Sequence, residues 1–219
     1  MHKINTVLFD LDGTLIDSNE LIIDSFRYTF KKYMPNREFT RKELIEMIGP
    51  PLVETFKIAT DKDSIIQEMI VDYRKFYVEN EFEYVRLYPH VIELLEFLKN
   101  AGINLAIVTT KYSRSALPGI EHFGLDKYIK AYSFLDDVNN HKPHPEPVIY
   151  ALNKFENVDK AIMVGDNSSD IIAGKNAGIM TCAVNWSIRK ELLDNLDPDY
   201  RINDFLDLID ILKKYNEED

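Results

Sequence analysis

The chain has 219 residues, 26 Lys and Arg against 37 Asp and Glu, and a formal net charge of −11. That length fits one large domain or a domain with a smaller insert, and 45 % hydrophobic residues are enough for a sizeable core. The acidic balance argues against a nucleic-acid backbone as partner, because that ligand calls for clustered Lys and Arg. No apolar run reaches the roughly 18 residues a membrane span needs, and the single cysteine, Cys182, can form no intrachain disulfide.

The N-terminal Met1–Ile4 lacks the apolar core of a secretory signal. With the lone thiol this points to a reducing cytoplasm. The first buried-strand pattern is Thr6-Val7-Leu8-Phe9, a continuous apolar run with β-branched members. Ligands of open parallel sheets bind beyond the carboxyl ends of the strands, so the residues after each such run carry the argument. Here they are Asp10-Leu11-Asp12-Gly13-Thr14. Two carboxylates two residues apart at a strand end can face one pocket, one as nucleophile and the other as general acid and base. Gly13 lets backbone approach a phosphate closely. Taken alone, the same residues also read as a solvated Asp-Gly turn.

From about Ile16 to Val85 the rhythm changes to helix patterns without a buried strand. Leu21 to Phe30 and Ile65 to Val78 suggest amphipathic helices, and Ile48-Gly49-Pro50-Pro51-Leu52 a turn between helices. We expect a helical cap of residues 16–85 over the active site, with residues 1–15 and 86–219 as an α/β core. Gly49 and Pro50 are candidates for meeting the leaving group, and equally for a plain connecting turn.

The α/β rhythm then resumes. His90 to Asn100 reads as a helix, followed by the strand Leu105-Ala106-Ile107-Val108 and then Thr109-Thr110-Lys111. Hydroxyls and N–H groups at a helix start suit a phosphate, although Thr109 alone reads as a helix cap. Lys111 is a candidate for a second phosphate or a carboxylate. A weaker strand at Tyr132-Ser133-Phe134 leads to His141-Lys142-Pro143-His144-Pro145. Lys142, held between prolines and histidines, can neutralise nucleophile and phosphate. Taken singly it is a surface lysine, and the two histidines are exposed loop residues.

Pro145 to Lys154 is a further helix, and Ala161-Ile162-Met163-Val164 the next strand. It opens into Gly165-Asp166-Asn167-Ser168-Ser169-Asp170 at the head of a helix running to Ala177. Asp166 and Asp170, four apart, share the first helical turn; Asp166 can equally serve as a helix cap. Together with Asp10 and Asp12 they make a hard, oxygen-rich site suited to Mg²⁺, whose charge would offset the repulsion among four acids. The last strand is Thr181-Cys182-Ala183-Val184. Cys182 is read as an inert core thiol, Trp186 as packing, and Glu217-Glu218-Asp219 as a solvated end.

These motifs, in this order and each after a buried strand, resemble the haloacid dehalogenase (HAD) superfamily over essentially the whole chain. The resemblance implies a Rossmann-like (HAD-like) parallel sheet with helices on both faces and a small all-α C1 cap. It implies Asp10 as nucleophile, Asp12 as general acid and base, Thr109 as a phosphate-binding residue and Lys142 as the third-motif lysine; Gly13, Thr110 and Lys111 are phosphate-binding candidates on the residue reading above. It implies Mg²⁺ held by Asp10, the Asp12 carbonyl and Asp166, with Asp170 acting through water.

Within the superfamily the chain is similar to the phosphoglycolate-phosphatase-like branch and most of all to bacterial HAD-type inorganic pyrophosphatases. Ile48-Gly49-Pro50-Pro51-Leu52, Val108-Thr109-Thr110-Lys111 and Lys142-Pro143-His144-Pro145-Glu146-Pro147 carry that likeness. Ser168-Ser169 stands where His-His is expected, and His144 where Asp is commoner. The implied substrate is pyrophosphate, 2-phosphoglycolate or another small phosphorylated metabolite. A phosphosugar mutase shares the core, whereas a dehalogenase would need neither Asp12 nor the ion. The expected assembly is a monomer or homodimer.

Overall fold

The computed structural model describes residues 3–217. Met1–His2 and the acidic end at Glu218–Asp219, expected to be solvated, lie outside them. The chain divides into two compact units, residues 1–16 with 87–219, and residues 17–86.

In chain order, β1 (Ile4–Phe9) opens the larger unit and β2 (Ile16–Asp17) follows a tight turn. The second unit holds α1 (Asn19–Tyr33), α2 (Arg41–Glu46), α3 (Leu52–Phe56) and α4 (Asp63–Tyr84). The chain returns through β3 (Arg86–Leu87), which pairs with β2. There follow α5 (Val91–Asn100), β4 (Asn104–Val108), α6 (Ser113–His122), β5 (Ala131–Ser133), α7 (Glu146–Leu152) and β6 (Lys160–Gly165). The chain closes with α8 (Ser168–Asn176), β7 (Met180–Val184), α9 (Lys190–Leu193), β8 (Tyr200–Ile202) and α10 (Phe205–Glu217).

Six strands form one parallel sheet in the order β5-β4-β1-β6-β7-β8. Val7, Leu8 and Phe9 are wholly buried, as a strand covered on both faces requires. On one face Leu8, Ala106, Val108 and Met163 pack with Val148 and Ala151 of α7 and Ala173 of α8. On the other, Phe9 meets Phe205 of α10 edge to face, with ring centroids 6.3 Å apart. The strand order reverses between β1 and β6, and such a switch point leaves a crevice beyond the carboxyl ends. Phe9 stands in register with Val164, and Asp10 N–H donates to Val164 O at 2.9 Å. The residues following β1 and β6 therefore emerge side by side.

The smaller unit is held by aromatic packing: Phe26 of α1 lies 5.0 Å from Tyr73 of α4 and 6.0 Å from Phe56 of α3 between ring centroids. Thr40 caps α2 with a reciprocal Thr40–Glu43 box. Among the described residues no helix is long and apolar enough to cross a membrane.

The sheet has one strand more than the buried-run pattern gives. β8 is only three residues long, with Tyr200 and Arg201 half-buried, so it shows no apolar run. α10 likewise lies beyond the segments that carry motifs.

Candidate active site

The turn after β1 is tight. Gly13 N–H donates to Ile16 O at 2.7 Å, and Gly13 takes φ +84°, in the left-handed region where a side chain is strained. A Cβ built on Gly13 would lie 2.4 Å from Asp166 Oδ2. The absence of a side chain therefore lets the fourth-motif carboxylate lie against the first-motif backbone. Thr14 Oγ1 donates to Asp166 Oδ1 at 3.3 Å.

Asp10, Asp166 and Asp170 are 7, 5 and 1 % exposed, and each offers an oxygen within 4.8 Å of the other two. Lys142, 5 % exposed, donates to Asp10 Oδ1 at 2.7 Å, Asp170 Oδ1 at 2.6 Å and Val108 O at 2.8 Å. The three donors of an ammonium are thereby all used. Asp170 Oδ2 accepts from Asn167 N–H at 2.9 Å, closing the first turn of α8. Gly165 makes this possible, because a Cβ there would lie 2.3 Å from Asp170 Cβ.

Asp12 is not in the triad. Its Oδ1 accepts from Lys111 Nζ at 3.1 Å, a partly buried pair. Thr109 is buried, its N–H donating to Ser133 O at 3.0 Å and its Oγ1 accepting from Lys111 N–H at 3.2 Å. Thr110 beside it is half-buried. Gly49, half-buried at φ +115°, and exposed Pro50 lie in the smaller unit between α2 and α3.

The acid cluster is thus less bare than four carboxylates alone would be: Lys142 serves Asp10 and Asp170, and Lys111 serves Asp12. Asp166 has the Thr14 hydroxyl instead of a cation. Burial pushes the Asp10 carboxyl up to about 7, with Asp170 and Asp12 adding and Lys142 opposing. Burial likewise raises Asp166 well above the carboxylate range, reinforced by Asp10 and Asp170. For Lys142 burial works against the charge, yet Asp10 and Asp170 outweigh it and hold the ammonium above the ordinary lysine value. Ionising all three buried acids would leave negative charge that one lysine does not balance, and an all-oxygen donor set suits a hard divalent cation.

Two contacts at Asp166 carry no sequence signal of their own. Thr14 is the last residue of a quoted motif, but only the fold turns its hydroxyl toward Asp166. Ser187 donates its Oγ to Asp166 O at 2.6 Å and accepts from Arg189 N–H at 3.0 Å; nothing in its spacing marks it. Trp186 packs on Tyr88 and Phe205, at 5.4 and 4.9 Å between centroids. Cys182 is buried, and burial pushes its thiol far up. His144 is an exposed loop residue whose Nδ1 accepts from Glu146 N–H at 3.1 Å.

These acids and this lysine gather where β1 and β6 end side by side, and haloacid dehalogenase-like hydrolases match residues 7–184. The chain belongs to that family, as one of its phosphatases. Pyrophosphatase PpaX of Halalkalibacterium halodurans is 47 % identical over 96 % of this chain and 97 % of its own length. Pyrophosphatase PpaX of Bacillus cereus strain B4264 is 43 % identical over 98 % of this chain and 99 % of its own. Among solved structures, a haloacid dehalogenase-like hydrolase from Streptococcus pneumoniae covers 96 % of this chain and 99 % of its own at TM-score 0.82 and 29 % identity. A predicted phosphoglycolate phosphatase from Haemophilus somnus covers 96 % and 99 % at TM-score 0.84 and 27 % identity.

Proposed function

We propose that the chain hydrolyses a small anionic phosphate through an aspartyl-phosphate on Asp10, with Mg²⁺ as cofactor and inorganic pyrophosphate as the first substrate to test. One observation carries the reading: Asp10, Asp166 and Asp170 lie buried within 4.8 Å of one another around a fully engaged Lys142. The relatives named pyrophosphatase favour pyrophosphate over 2-phosphoglycolate.

Asp10 and Asp166, with the Asp12 carbonyl, would hold the ion. Asp170 spends one oxygen on Lys142 and the other on Asn167 N–H, so we assign it to fixing Lys142. Bound Mg²⁺ would supply charge against the phosphoryl oxygens and favour ionised acids.

In the first step an Asp10 oxygen forms a bond to phosphorus as the bond to the leaving oxygen breaks. Asp12, protonated, gives its proton to that oxygen. In the second step Asp12 takes a proton from water, the water oxygen bonds to phosphorus, and the bond to Asp10 breaks, returning both acids to their starting states. The Lys142 charge and the Thr109 hydroxyl would offset the charge spread over the equatorial oxygens in the transition state, Lys142 exchanging one of its present contacts for a phosphoryl oxygen. Lys111, at the Asp12 carboxylate, is suited to the far phosphate of a diphosphate.

The test is phosphate release from pyrophosphate, 2-phosphoglycolate and sugar phosphates, ranked by kcat/KM. Release should stop with EDTA, return with Mg²⁺, and be absent in Asp10→Asn although that variant folds. Metal-independent release, or turnover by Asp10→Asn near the wild-type rate, refutes the mechanism.

A further inference from the structure

The face of α4 turned away from its packed side carries a row of exposed apolar side chains. The buried side of the helix presents Ile66, Met69, Ile70, Tyr73 and Tyr77. Opposite, at spacings of seven and four, stand Val71, Val78 and Phe82, exposed by 64, 63 and 48 %. Such spacing makes a straight seam along one helix face. Of the ten large apolar side chains exposed among the described residues, seven fall in the unit of residues 17–86, about a third of the chain.

One flank of this row bears Glu68, Lys75 and Glu79, with Arg86 just past the helix end, all exposed. Their signs run minus, plus, minus, plus. They are antisymmetric about residue 77: 68 mirrors 86 and 75 mirrors 79, an acid against a base each time. When two identical helices pack antiparallel across a two-fold axis, each flank meets the same flank of its partner in reverse order. A flank compatible with that arrangement must therefore carry opposite charges at mirrored positions, as this one does.

We propose that α4 docks antiparallel on α4 of a second copy of this chain, with the two-fold axis near Tyr77. Val71 then packs on the partner subunit's Phe82, and Val78 lies beside the axis. Glu68 pairs with the partner subunit's Arg86, and Lys75 with the partner subunit's Glu79, each pair occurring twice by symmetry. A 22-residue helix is about 33 Å long. A contact of that length falls at the low end of specific interfaces, below about 1,200 Å², so the dimer is reversible.

Sedimentation velocity on the full chain over a concentration series tests this. The wild type is expected to pass from monomer to dimer as concentration rises. Val78→Glu should weaken association at least tenfold while leaving phosphatase activity and thermal midpoint near wild type. Lys75→Glu and Glu79→Lys should each weaken it several-fold, and the double swap should restore it. Lys75 and Glu79 are also neighbours within one helix; that contact bears on the monomer's stability, whereas the readout is association. A wild type monomeric throughout the series overturns the proposal. So does a dimer indifferent to Val78→Glu, or a double swap no better than either single change.

Discussion

Lys142 occupies a position a lysine does not reach without partners. It is 5 % exposed, and an ammonium moved from water into a protein interior costs several kcal/mol unless paired and hydrogen-bonded. Asp10, Asp170 and Val108 O supply that pairing at 2.6–2.8 Å. The two acids in turn depend on the lysine, since each is buried beside the other. Lys142→Ala should therefore cost far more than a surface lysine, about 3–5 kcal/mol of unfolding free energy, and should abolish turnover. Urea unfolding at pH 7.5 with EDTA measures the first effect. A loss below about 1 kcal/mol, the ceiling for an exposed pair, would show that the three contacts do not hold the loop. Its place after a strand and before a proline marked Lys142 as a candidate in sequence, although taken singly such a lysine reads as a surface residue. Its tie to Asp170 was not legible there, because spacing along the chain says nothing about which oxygen faces which residue.

At the scale of elements, what the sequence displayed depended on burial. β1, β4, β6 and β7 are shielded on both faces and read as apolar runs; β8 contains half-buried Tyr200 and Arg201 and does not. α8 was readable from Asn167 at its head and Gly178 beyond its end, signals that come from unsatisfied backbone groups at helix ends. What pattern cannot reach is the approach of two elements. Gly13 is the clearest case, because a single hydrogen in place of a methyl group decides whether the β1 turn and the Asp166 carboxylate fit together. Gly13→Ala places a Cβ 2.4–2.9 Å from three atoms of that carboxylate, on backbone at φ +84°. We expect the variant to lose at least a hundredfold in kcat/KM and to need more Mg²⁺ for half-maximal rate, since it displaces Asp166, a ligand of the proposed ion. Metal titration of the rate checks this; an unchanged half-saturation point would mean that the carboxylate moves without loss of function.

At the scale of the whole molecule, the buried acids are a site for which protons and the proposed metal ion would compete. Burial holds Asp10 at about 7 and Asp166 well above 3.8, so in the metal-free protein the folded state favours their protonated forms. A carboxyl raised on folding contributes stability in full below its unfolded value, and that contribution is lost as pH rises through the folded value. For Asp10 the window runs from about 4 to 7, and the loss is on the order of 4 kcal/mol. The opposite case, carboxylates lowered by hydrogen bonds and ion pairs such as Glu43, Asp72 and Glu146, changes stability only at more acid pH, because these groups stay ionised to lower pH than an ordinary carboxyl. Between pH 5.5 and 8 the metal-free thermal midpoint should therefore fall. The proposed Mg²⁺ would bind the ionised acids and release their protons, so its stabilising effect should grow over the same interval, reaching about 2.7 kcal/mol at a hundred times its dissociation constant. Thermal unfolding at pH 5.5, 6.5, 7.5 and 8, with EDTA and with saturating Mg²⁺, measures both slopes. A metal-induced shift larger at pH 5.5 than at 8 would mean that protons and the ion do not compete for these carboxylates, and that the buried acids balance their charge within the protein alone.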